Sequence, residues 1–186
     1  KGLLHILDLV SNHMAATPEN RWFYSVLKEG EASPYAHYFD ILFNPADHEL
    51  KGKILLPILP KPLAESIEEG YIQLKKHGDE ITLQVGDKSL PTSQLKGDES
   101  IEEALSKQHY LLAYWKDCYE RINYRRFFDI IELIGLNMQH EDVYQAYHQK
   151  AFELIDQGVV QGLRIDHPDG LYHPNGYFDC LQRDYP

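Results

Sequence analysis

The sequence predicts an α/β fold, and three observations predict it. An early apolar run, Leu3, Leu4, Ile6, Leu7, Leu9 and Val10, ends in the polar string Ser11-Asn12-His13. A late run, Val159, Val160, Gly162, Leu163 and Ile165, ends in Asp166-His167-Pro168-Asp169-Gly170. A helical pattern leads directly into that second run. Short continuous apolar runs read as strands buried on both faces, the habit of parallel sheets.

The first run needs a neighbour on each side, yet only Lys1 and Gly2 precede it and there is no starting Met. The reading is a segment cut from a longer polypeptide. Before the second run, Glu141 and Asp142 give an acidic first helical turn. Val143, Tyr147, Ala151, Leu154 and Ile155 follow at helical spacing, and Gly158 suits the position just past a helix end. Between the two runs lies far more chain than the dozen or so residues a crossover needs. Residues 1-13 are therefore assigned to the first strand and 14-120 to an inserted, mainly helical subdomain. Residues 121-186 are assigned to helices, the second strand and the loop after it.

Within the insertion, Thr17-Pro18 reads as a helix cap with Pro at the first position. Trp22, Phe23, Val26 and Leu27 form the helix face, and Gly30 ends it. Ile54–Leu59 reads as a strand, and Pro62 opens a helix towards Gly70. Tyr71 to Val85 reads as a hairpin around His77-Gly78-Asp79. Asp87 to Ser100 is polar and turn-rich, the stretch expected to be mobile, and a helical region is expected from Ser100 to about Glu120.

Composition narrows the function classes. The 186 residues are 43% hydrophobic and 25% charged, typical of a folded domain. The net charge of −11 argues against nucleic acid, whose phosphates call for Lys/Arg stripes. No stretch is apolar enough for a membrane span or a secretory signal. The two cysteines, Cys118 and Cys180, form no CxxC, read as ordinary buried thiols and favour a reducing, cytoplasmic setting. Aromatic residues make up 12%, and Tyr and Trp suit sugars, whose C–H faces pack on rings while their hydroxyls seek polar tips.

The chemistry gathers at the ends of the two strands, where parallel folds carry functional residues. Arg164 and Asp166 are two apart, so their side chains share one face. A buried carboxylate beside a guanidinium stays ionised, as a carboxylate nucleophile must. Asp8 on the neighbouring strand is placed to orient Arg164, and His13 to meet a substrate hydroxyl. Two other readings stand beside this one. Asp166-His167-Pro168-Asp169-Gly170 is a good turn sequence in its own right. Asp8, His13, Asp166 and His167 could also hold a metal, although no HExxH or paired CxxC pattern supports it; no metal or cofactor is assigned.

Asp8-Leu-Val-Ser-Asn12-His13 and Gly162-Leu-Arg164-Ile-Asp166 resemble the first two sequence regions of the α-amylase superfamily of glycoside hydrolases, in the family's order and with a long insertion between them. Asn12 to Ala16, Ser33 to Ile41, Lys53 to Leu59, Asn123 to Ile130 and Gly162 to Leu171 resemble the maltooligosyltrehalose synthase family within it. Pro60-Lys61-Pro62 and Ile131 depart from that family's pattern. The resemblance implies a partial (β/α)8 TIM-barrel fragment, of about two parallel strands, with the inserted subdomain. It implies conversion of the reducing-end α-1,4 link of a maltooligosaccharide to an α,α-1,1 link, with retention. Asp166 would be the nucleophile, kept ionised by Arg164. His13, Asp8, Tyr124, Arg125, Arg126 and His167 would bind substrate, with Phe127 and Phe128 as a sugar-facing wall or as core. Asn12 would serve local structure, or calcium as in some amylases, and no metal is claimed for it. Retention needs a second carboxyl group about 5–5.5 Å away, which the family supplies from a later strand.

The isolated chain is accordingly expected to be inactive, to need the rest of its parent polypeptide, and to self-associate through unpaired strand edges. A plain α-glucan hydrolase and a non-catalytic carbohydrate-binding module are the competing readings.

Overall fold

The computed structural model describes residues 2–116 and 119–185; Cys118 lies outside the described residues. The elements in order are β1 (Ile6–Leu9), β2 (His13–Ala15), α1 (Arg21–Glu29), β3 (Ile54–Leu59), α2 (Leu63–Glu68), β4 (Ile72–His77), β5 (Glu80–Val85) and β6 (Lys88–Pro91). They continue with α3 (Ile101–Ser106), β7 (Tyr110–Tyr114), β8 (Arg126–Phe127), β9 (Ile130–Gly135), α4 (Glu141–Asp156), β10 (Gly162–Ile165) and α5 (Pro174–Asp184). The fold is α/β. The chain divides into two compact units, one of Lys1–Ala15, Tyr38–Asp40 and Arg126–Pro186, the other of Ala16–His37 and Ile41–Arg125.

In the first unit β1 pairs in parallel with β10, Asp8 opposite Arg164. The antiparallel set β2-β9-β8 lies in the same unit. α4 starts after His140 and ends at Gln157, with Gly158 in the left-handed conformation expected of a residue just past the helix. Its buried face is Val143, Tyr144, His148, Ala151 and Phe152. β1 departs from expectation: Leu3, Leu4 and Ile6 are exposed, Ile6 by 71%. Among the described residues its one pairing partner is β10, and a parallel strand buries both faces only when neighbours cover them.

The second unit was expected to be mainly helical, and it is not. It holds β3 to β7, while its helices are short. β3 pairs in parallel with β7, and Ile54, Leu55 and Leu59 are fully buried. The helix expected from Ser100 to Glu120 stops at Ser106. Its start is well made, by a reciprocal cap between Ser100 and Glu103. Beyond it, Tyr110-Leu-Leu-Ala-Tyr114 extends instead, because pairing with β3 overrides the helix preference of Leu and Ala. The stretch after Asp87 contains β6, which completes the antiparallel sheet β4-β5-β6. Its loop is tied down at Glu99, whose carboxylate accepts from Lys96 N, Gly97 N and Lys107 Nζ at 2.8–3.1 Å. The cap of α1 is Asn20 rather than Thr17: the Asn20 side chain accepts from Trp22 N and Phe23 N. The hairpin around Gly78 forms as read.

Candidate active site

Parallel pairing of β1 with β10 sets Asp8 beside Arg164, and the two-residue period of a strand sets Arg164 beside Asp166. The guanidinium bridges both carboxylates: Nη1 donates to Asp8 Oδ2 at 2.6 Å and Nη2 to Asp166 Oδ1 at 2.9 Å. These are charge-assisted bonds from a rigid planar fork. The hydrogen bond to Asp8 and then the charge of Asp166 push the Arg164 guanidinium above its ordinary range, so it stays charged. Asp166 was expected to be buried. Its side chain is instead 34% exposed, that of Asp8 58% and that of Arg164 57%, since these strand ends are open to solvent.

The backbone fixes where the Asp166 carboxylate points. Asp166 N donates to Leu9 O at 2.8 Å, which closes the parallel ladder. His167 then takes φ 49° and ψ 51°, a left-handed conformation uncommon outside glycine, and turns the chain into Pro168–Gly170. Asn12, 1% exposed, holds this turn from the other strand, donating Nδ2 to His167 O at 2.9 Å. Its Oδ1 can only accept, so at 2.5 Å the bond from His13 Nδ1 makes that nitrogen the protonated one. Gly170 packs so closely on the Asn12 amide that a Cβ there would collide with it.

An aromatic group completes the site. The His13 ring stacks on Phe127 at 4.2 Å between centroids, and Phe127 meets Phe128 and His167 edge-on at 4.4 and 4.9 Å. His167 Nε2 lies 3.8 Å from Asp166 Oδ2. Phe128 has φ 50° and is 69% exposed, an unusual conformation and environment for a bulky apolar residue. Of the two readings of the Phe pair, a buried core does not fit Phe128.

The first unit therefore brings together Asp8, His13, Arg164, Asp166 and His167. Arg126 lies in the same unit, on β8, paired with Ile134. Tyr124 and Arg125 fall in the second unit, where Tyr124 is buried and bridges Ile41. Among the described residues no group of three His, Cys, Asp or Glu side chains is placed to hold a metal ion. Cys180, expected to be buried, is a free and only half-buried thiol on α5. Sequence reasoning placed Tyr147 on the apolar face of α4 without a role and missed His148 and Tyr177; the signal was a lone His on that face.

The α/β architecture is shared with a solved maltogenic amylase from S. marinus, 22% identical, TM-score 0.52, matched over 99% of this chain and 20% of that one. No family model matches the sequence. Much nearer relatives are the maltooligosyl trehalose synthases. A Mycobacterium tuberculosis protein (strain H37Rv) assigned to that activity is 36% identical over 184 residues, 98% of this chain and 22% of its own length. A crystal structure of a maltooligosyl trehalose synthase is 39% identical with TM-score 0.86, over 98% of this chain and 23% of that one. The enzyme of Arthrobacter ramosus is 33% identical with TM-score 0.83, over 96% of this chain and 22% of that one. This chain is related to maltooligosyl trehalose synthases along nearly all of its length and spans about a quarter of theirs.

Proposed function

We propose that this chain supplies the nucleophile side of a retaining glucosylmutase centre acting on maltooligosaccharides. The observation that carries the reading is the Arg164 fork between Asp8 and Asp166 at the ends of two parallel strands, beside the His13–Phe127–His167 ring group. The Asp166 carboxylate attacks the anomeric carbon of the unit next to the reducing end. The bond from that carbon to O4 of the terminal glucose breaks, and a general acid protonates O4. The O1 hydroxyl of the same glucose then attacks the glycosyl ester, giving its proton to the now basic partner. Asp166 is released and an α,α-1,1 link is formed.

Arg164 keeps Asp166 ionised and aimed, and Asp8 aims Arg164. His13 and His167 meet sugar hydroxyls, Phe127 and Phe128 face the apolar side of a ring, and Arg126 contacts the acceptor. The second carboxyl group comes from the longer polypeptide, whose barrel would take β1 and β10 as two of its strands. The chain alone is then inactive, and its exposed β1 edge favours self-association. The relatives' names and the similarity along the chain support transfer over hydrolysis.

The test is the full-length protein with maltopentaose. A non-reducing product is expected, falling by on the order of 10⁴-fold with Asp166→Asn, as for other nucleophiles removed from a catalytic unit. Glucose as the sole small product would favour a hydrolase. Binding without turnover would favour a carbohydrate-binding module.

A further inference from the structure

His148 on α4 is completely buried. Its two nitrogens are committed. Nδ1 lies 2.8 Å from the Tyr144 carbonyl, which can only accept, so Nδ1 carries the proton. Nε2 is then the acceptor, and at 2.7 Å it receives the hydroxyl proton of Tyr177 on α5. The buried Ser11 hydroxyl interacts with the Tyr177 oxygen. Among the described residues the Ser11 Oγ makes no hydrogen bond of ordinary geometry.

The hydrogen bonds therefore run in one direction, from Tyr177 through His148 to the α4 backbone, with the Ser11 hydroxyl beside the Tyr177 oxygen. Next to it, Tyr147 donates its hydroxyl to Val10 O at 2.7 Å. Val10 and Ser11 link Leu9, whose carbonyl receives Asp166 N, to Asn12, which holds the His167 carbonyl and the His13 ring.

A buried histidine charged at neutral pH would break this order, since both nitrogens would donate. Burial among Tyr144, Tyr147, Phe152 and Tyr177 holds His148 below its ordinary range, with the Tyr144 carbonyl bond and the Asp184 charge opposing only in part. Burial also pushes Tyr147 and Tyr177 up to about 12, so both stay as hydroxyls and can donate.

We propose that His148, Tyr177 and Tyr147 are positioning residues: through Ser11 and Val10 they fix the turn that presents Asn12 and His13 to the carboxylate pair. The inference rests on the reading of the site given above. None of the three touches the reacting atoms. They set the angle of the His13 ring and the seat of the His167 turn.

The test uses the full-length protein with ¹³Cε1-labelled histidine, compared with Tyr177→Phe and Tyr147→Phe. Each variant removes one oxygen and keeps the ring, so folding should survive. The His13 resonance is expected to shift in both, while kcat for maltopentaose falls about 10-fold, the size of effect a displaced catalytic group gives. A structural role alone would lower Tm and leave His13 in place. An unmoved His13 resonance in both variants overturns the proposal, whatever the activity. A wild type that turns over no maltooligosaccharide would defeat the functional reading instead, and the His13 resonance would still decide this one.

Discussion

Each unit holds a two-stranded parallel sheet, and the two sheets have opposite characters. β3 and β7 bury Ile54, Leu55, Leu59 and Tyr110 almost completely. β1 and β10 expose Leu3, Leu4 and Ile6 and end in Asp8, Arg164 and Asp166. In sequence the two leading runs look alike. What separates them is what each strand carries past its apolar stretch: Leu59 runs on into Pro60-Lys61-Pro62, whereas Leu9 and Ile165 run into polar side chains held by a network. One sheet contributes stability by burial, and the other holds the residues proposed for chemistry at its strand ends.

The largest expected effect on stability lies in the buried sheet. Leu55→Ala should cost about 2–5 kcal/mol by leaving a cavity, read as a lowered midpoint in urea unfolding. Asn123→Ala comes next. Its side chain accepts from Leu55 N and donates to Leu42 O and Lys53 O at 2.8–3.0 Å. Losing it strands buried backbone groups, at about 2–3 kcal/mol. A smaller loss would mean that water or a shifted backbone replaces those bonds.

Acid should act on the first unit through His148. Its folded pKa is lowered while the unfolded one stays near 6.5. Above about pH 6.5 both states are neutral and stability is flat. Below it the unfolded chain takes up the proton first, so stability falls as pH drops. His148→Gln should flatten that slope in Tm between about pH 6.5 and 5; an unchanged slope would place the acid sensitivity elsewhere. The smallest effect on stability is expected for Asp8→Asn, because the pair with Arg164 is exposed. The same change should lower turnover, and a large drop in Tm would erase the contrast between the two sheets.

The α/β class, the parallel pairing, the Asp8–Arg164–Asp166 constellation, α4 and the Gly78 hairpin were legible in the sequence, because each follows from local pattern and period. What was not legible depended on partners distant in sequence. Tyr110–Tyr114 is a strand only because β3 lies beside it. The cap of α1 is a local exception: the oxygen of Asn20, and not Thr17, takes the Trp22 and Phe23 N–H groups. The exposure of β1 could not be read from an apolar run, which reports what a strand can bury and not what covers it. The Tyr177–His148 and Tyr147–Val10 bonds join residues 29 and 137 positions apart, beyond any periodicity.

The most direct test of the account is covalent trapping on the full-length protein with a 5-fluoro-α-glucosyl fluoride. The C–F bond breaks, fluoride leaves, and a carboxylate oxygen forms a glycosyl ester that turns over slowly. Peptide mass spectrometry should find the adduct on Asp166, with the yield reduced in Arg164→Lys. An adduct on any other carboxylate, with Asp166 unmodified, would contradict the assignment.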